Sequence, residues 1–216
     1  MTQDRSHGRQ GDPPPAPEPL PYPVVDSHTH LDLVIDTVGG SVADQVAAAA
    51  EVGVDRLVQV GVDLTTSRWS VAAAVANPAV VAAVALHPND APLMTEQELD
   101  AALGEIDQLA AHGRVRAIGE TGLDFFRTTD AAQLAQQERS FRAHIQIAKK
   151  HQLPVMIHDR DAHEDVFRVL ADEGAPEQVV FHCFSGDTHM ARYCSERGYY
   201  ISFAGNCTFA KAQQLR

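Results

Sequence analysis

The chain has 216 residues, of which 44% are hydrophobic, enough to bury one sizeable core and better suited to one domain than to two. Its 17 basic and 29 acidic residues leave a formal charge of −12, which excludes a general attraction for polyanions. A nucleic-acid partner would therefore need metal ions and a local cationic patch to supply the missing positive charge.

Residues 1–23 hold seven prolines, Pro13, Pro14, Pro15, Pro17, Pro19, Pro21 and Pro23, among polar and charged neighbours. Such a composition buries too little apolar area to order itself, so a disordered Pro-rich tail is expected, with a polyproline II docking peptide as the alternative. The first ten residues, MTQDRSHGRQ, have no secretory core, and no apolar run nears the roughly 20 residues that cross a bilayer. A cytoplasmic protein without a membrane partner is expected, of unknown oligomeric state.

From Val24 onward, short apolar runs alternate with longer segments of helical periodicity, the pattern of βα units around a parallel sheet. Strands are predicted over 24–30, 56–61, 80–87, 115–120, 154–158, 179–183 and 199–204. Helices are predicted over 42–52, 66–76, 96–111, 131–150, 163–171 and 189–197. Near-continuous apolar strands imply burial on both faces, as in a TIM-like (β/α) barrel filling residues 24–216. About seven strands are visible, so the barrel is expected to be incomplete at the C-terminus and to lack its final strand.

Polar chemistry gathers at the predicted strand ends. His28 and His30 end the first strand, His87 the third, Glu120 the fourth and His158 the fifth, and His182 lies near the end of the sixth. In such a barrel these ends converge on one mouth. Residues i and i+2 of a strand share a face, so His28 and His30 can aim at one cation. Glu120, between the two sets of histidines, is placed to bridge two ions about 4 Å apart, with His158 and His182 completing the second. A lone histidine beside a strand is more often a core or loop residue, and the common position of all five is what favours ligation.

His87 precedes Pro88 and is open to two readings, a substrate contact or a turn residue. Arg160, two positions past His158, is a candidate clamp for a phosphate oxygen or else a solvated loop cation. Asp26, Asp32 and Asp124 are placed to orient imidazoles or to form turns. His7, His112, His144, His151, His163 and His189 are expected at the surface. Cys183, Cys194 and Cys207 have no CxxC spacing and indicate neither a disulfide framework nor a thiolate zinc site.

The segments VVDSHTHLD, VALHP, AIGETGLDFF, PVMIHDRDA, VVFHCFSGD and YYISFAG, in this order from Val24 to the end of the chain, resemble the TatD-related DNases of the amidohydrolase superfamily. The resemblance implies a TIM-like barrel and one or two divalent metal ions (Zn, Mn or Mg). It also implies DNA as substrate, cleaved at phosphodiester bonds by metal-activated water, with an exonuclease role. It implies His28, His30, Glu120, His158 and His182 as metal ligands, with Glu120 also catalytic. His87, read as catalytic, falls in the motif whose histidine lies near the substrate phosphate. The family's final-strand aspartate has no match, since no acidic residue follows Glu196, and much reduced activity is expected of the 216-residue chain. Two rival readings are another amidohydrolase-type hydrolysis and a catalytically impaired binding or scaffold module.

Overall fold

The computed structural model describes residues 15–216. Residues 15–23 form neither helix nor strand and are exposed, tied to the body where the Leu20 amide donates to the Val52 carbonyl at 3.0 Å. The rest of the expected tail, residues 1–14, lies outside the described residues.

Beyond the tail the order is β1 (Val24–Thr29), α1 (Leu31–Val38), α2 (Val42–Glu51), β2 (Val54–Val60), α3 (Leu64–Ala76), β3 (Val80–Val84), α4 (Glu96–Ala110) and β4 (Val115–Asp124). It continues with α5 (Ala131–His151), β5 (Val155–Arg160), α6 (His163–Glu173), β6 (Val179–Phe181), α7 (Thr188–Glu196) and β7 (Tyr200–Ile201). The seven strands are parallel and lie side by side in chain order, a curled half-barrel with helices on its outer face. Parallel neighbours demand a crossover, and the helices supply it.

The inner strands are buried on two sides by different chemistry, whereas the edge strands β1 and β7 have no buried residue. Outward, Val80, Ala82, Val84, Ile118 and Ile157 meet Val71, Ile106, Phe141 and Ile145 of the helices in one continuous core. Inward, Val60, Ala83, Ala117 and Met156 form a separate small cluster. Alternate residues of a strand face opposite sides, so Ala83 turns inward between the outward Ala82 and Val84. Burying each large outward side chain is worth about 1.5–3 kcal/mol, and this layer holds the scaffold that positions the strand ends. Reciprocal capping boxes of Ser41 with Asp44, Asp63 with Thr66 and Thr95 with Glu98 fix where α2, α3 and α4 begin.

The predicted elements differ from the observed ones mainly at their ends. β3 stops at Val84 and not at 87, because the chain turns at Pro88: the His87 amide donates to the Val62 carbonyl at 2.7 Å and the Asp90 amide to the His87 carbonyl at 2.9 Å. β4 runs four residues past Glu120, its extension paired with the end of β5 through Leu123 beside Asp159 and Asp124 beside Arg160. Helix α1 was not expected. No described helix is long and apolar enough to cross a membrane.

Candidate metal centre

The end of β1 delivers two imidazoles to one point. His28 Nε2 and His30 Nε2 stand 3.1 Å apart. His30 Nδ1 lies 3.1 Å from the Val60 carbonyl and His28 Nδ1 lies 2.9 Å from the Met156 sulfur, both acceptors, so each ring carries its proton on Nδ1. Two Nε2 lone pairs then face one another, an arrangement that needs a proton or a cation between them. The turn behind them is fixed by Gln59, fully buried. Its Oε1 accepts from the Leu31 amide at 2.6 Å, and its Nε2 donates to Asp32 Oδ1 at 3.1 Å and Ser70 Oγ at 3.3 Å. Asp26 accepts from the His28 amide at 3.1 Å, holding the backbone and leaving the ring free.

Glu120, 5% exposed, sits in the middle of the histidines with its two oxygens turned to different sides. Oε2 lies 3.4 Å from His28 Nε2, while Oε1 lies 2.8 Å from His158 Nδ1 and 3.7 Å from His87 Nε2. Burial alone would hold this carboxyl protonated. The imidazoles of His158, His28 and His87 packed around it outweigh burial and keep its pKa well below the usual carboxylate range.

His158 is enclosed by acceptors. Its Nε2 donates to Asp124 Oδ2 at 3.1 Å, which leaves Nδ1 as the atom facing Glu120. Burial pushes its pKa down, but Glu120 and then Asp124 push harder and the net direction is upward. Asp124 is itself buried, which opposes its ionisation; the Arg127 amide, the Asn89 side chain and His158 hold its carboxyl below the ordinary value. His87 differs from the others. Its Nδ1 accepts from the Asn89 amide at 3.1 Å, so its proton is on Nε2, the nitrogen 3.3 Å from His158. In this tautomer His87 offers the centre a donor.

His182 stacks flat on His28, ring centroids 3.3 Å apart and planes 12° from parallel, and its buried Nδ1 has no hydrogen-bond partner among the described residues. Burial first, and then His28, bring its pKa to about 4, so it is neutral and available as a lone-pair donor. His30 is also pushed below the ordinary value, by burial and then His28.

Among the described residues, two groups have the spacing to hold a cation: His28, His30 and Glu120, and His87, Glu120 and His158. Facing lone pairs, an ionised buried carboxylate shared between the groups and an orphaned imidazole nitrogen form a donor set that fits divalent ions. His182, expected to complete the second group with His158, stacks on His28 and also lies close enough to His158 to feel its charge. Arg160 is half-buried at the rim, its guanidinium carbon 3.8 Å from the centre of the Phe126 ring. His144, expected at the surface, is fully buried: its Nδ1 donates to the Ser140 carbonyl at 2.7 Å and its Nε2 accepts from the Leu86 amide at 3.0 Å. Those two backbone partners make burial of an imidazole affordable. His151 and His163 are half-buried against Asp107 and Asp159, whereas His112 and His189 are exposed.

A family model described as TatD related DNase matches residues 25–216. The Uncharacterized metal-dependent hydrolase TatD of Mycobacterium tuberculosis is 43% identical over 196 residues, covering 89% of this chain and 73% of that protein. The 3'-5' ssDNA/RNA exonuclease TatD of Salmonella typhimurium is 36% identical over 177 residues, covering 80% of this chain and 65% of that protein. Among solved structures, YJJV, a TatD homologue from Escherichia coli, superposes with a TM-score of 0.78 at 27% identity, over 88% of this chain and 71% of that one.

Proposed function

This chain belongs to the family of TatD-related DNases and is a metal-dependent hydrolase, and from that premise we propose that it cleaves phosphodiester bonds in single-stranded DNA, as an exonuclease. The observation that carries the reading is the split carboxylate of Glu120, with one oxygen toward His28 and the other toward His158. His28, His30 and Glu120 would hold one divalent ion, and Glu120 with His158 a second, His182 adding its unpartnered nitrogen. Bound divalent cations supply Lewis acidity at the phosphoryl oxygens and lower the pKa of water. An imidazole-rich set favours Zn or Mn, with Mg as the hard-ion alternative.

The chain's own residues do the rest. Glu120 stays ionised and neutralises the cationic charge where a phosphate must also fit. Asp124 fixes the ring of His158 through Nε2, so that Nδ1 presents a lone pair inward. His87, carrying its proton on Nε2, points a donor at the same point and would stabilise charge growing on a non-bridging phosphate oxygen.

The test is metal content together with nucleotide release from single-stranded DNA in Mg or Mn, on the 216-residue chain and on a His28→Ala, His30→Ala variant. Metal bound by the parent chain, with turnover that the variant loses, is expected. A chain that binds no divalent ion, or a metal-loaded chain that releases no nucleotide, refutes the proposal.

A further inference from the structure

The turn after β4 presents two phenylalanines to opposite environments. Phe125 is half-buried against the main core, whereas Phe126 is 61% exposed at the rim of the centre. The turn is pinned from both flanks: the Phe125 amide donates to the Arg160 carbonyl at 2.9 Å, and the Arg127 amide to Asp124 Oδ1 at 2.8 Å. Asp124 is also the carboxylate that holds His158. The exposed ring is therefore fixed relative to the metal centre by one shared residue.

Arg160 lies over that ring with its guanidinium carbon 3.8 Å from the centroid. Among the described residues its guanidinium has no ion-pair or hydrogen-bond partner. Arg68, Arg139, Arg142 and Arg168 each reach a carboxylate, whereas Arg160, like Arg197 over Tyr193, rests on an aromatic ring. A guanidinium laid over an aromatic face keeps its N–H groups directed outward in its own plane, where they match phosphate oxygens. In β5, residue 160 follows His158 by two and so shares its face, about 7 Å further toward the mouth.

We infer that Phe126 and Arg160 form a nucleotide subsite at the rim of the centre. The open surface of Phe126 stacks a base, and Arg160 binds the phosphate of the nucleotide next to the scissile bond. The inference rests on the function proposed above for the position of that bond, and it deepens it by giving the reason for a single-strand preference. A base must be unstacked from its duplex to lie on the ring, and stacking tolerates any base because each has a π-face.

The experiment measures binding of the metal-loaded 216-residue chain to a fluorescent single-stranded phosphorothioate oligonucleotide, which resists cleavage, by anisotropy. The same oligonucleotide with one abasic position, moved stepwise along it, and its duplex form are the comparisons. At one position, loss of the base is expected to weaken binding about 10-fold in the parent chain, the scale of one stacked base. Phe126→Ala is expected to weaken binding to the intact strand by a similar factor and to erase the abasic effect; Phe126→Trp restores both. Arg160→Ala is expected to reduce the slope of log affinity against log salt by about 0.7, one phosphate contact on a single strand, which Phe126→Ala leaves unchanged.

An unaltered abasic ratio in Phe126→Ala, or an unaltered salt slope in Arg160→Ala, overturns the subsite. Cleavage of an ordinary oligonucleotide, measured in parallel, separates the two claims. A chain that cleaves but shows no base-dependent binding defeats the subsite alone. A chain with base-dependent binding but no cleavage supports the subsite and defeats the hydrolase reading, and a chain that binds no single strand defeats both.

Discussion

Asp124 Oδ2 lies 3.1 Å from His158 Nε2, on the side of the ring turned away from Glu120. This contact sets which nitrogen of His158 faces the centre. Asp124→Asn keeps the side chain's shape and its bonds to the Arg127 amide, but removes the charge that fixes the tautomer. Metal affinity is expected to fall about 10- to 100-fold, the usual effect of losing a carboxylate behind a histidine ligand, with the fold retained. Calorimetric metal titration of the variant checks this, and an unchanged affinity would show that His158 needs no such support.

Glu120→Gln removes the charge and keeps the volume. The remaining amide oxygen is a poor partner for two cationic groups, and metal affinity is expected to drop by about 100-fold or more. In the metal-free variant the upward shift of His158 should also shrink, because Glu120 is the larger of the two carboxylate influences raising it. Proton NMR titration of His158 reads this directly.

Gly122 sits where β4 presses on β5. Its φ is +143°, and a Cβ there would stand 2.0 Å from the His158 carbonyl oxygen. Gly122→Ala must push the two strands apart at the ligand itself. The expected cost is about 1–3 kcal/mol, seen as a melting temperature lower by about 3–10 °C in scanning calorimetry, together with weakened metal binding.

His144 makes stability depend on pH. Burial brings its pKa to about 4, below the roughly 6.5 of an unfolded histidine. Between these values the unfolded chain binds a proton that the folded one refuses. This contribution is therefore complete above pH 6.5 and is lost as the pH falls toward 4, amounting to about 3 kcal/mol in all. Urea unfolding at pH 7.5 and pH 5 should show a smaller difference in His144→Leu than in the parent chain. At pH 7.5 the variant should already be weaker by about 1–3 kcal/mol, since the Leu86 amide loses its acceptor.

The arrangement of the centre was legible where a strand's two-residue period dictates it: His28 with His30, and Glu120 and His158 on neighbouring strands, meet as their spacing requires. What escaped depends on partners distant in sequence. His144 lies on a helix whose polar neighbours include Gln137 and Ser140, both buried, so periodicity alone puts it at the surface. The Ser140 carbonyl and a backbone amide 58 positions away, at Leu86, together make its burial tolerable, and the second of these is invisible to local periodicity. Helix α1 escaped because LDLVIDTV is rich in β-branched residues and His30 caps it with no side-chain bond. The extension of β4 to Asp124 was hidden by Gly122, a residue that ordinarily weakens a strand but here permits the close approach to His158.

The strand order of the sheet also bears on how the molecule assembles. Every strand lies beside the one that precedes it in the chain, so each new βα unit emerging during synthesis finds its docking edge already formed. The walls grow by closing short loops, whereas bringing His28 to Met156 spans 128 positions. The centre is thus the last part to be assembled and the one most sensitive to an error in any single unit, and hydrogen exchange should show β2 and β3 protected before the ligand-bearing ends of β1 and β5.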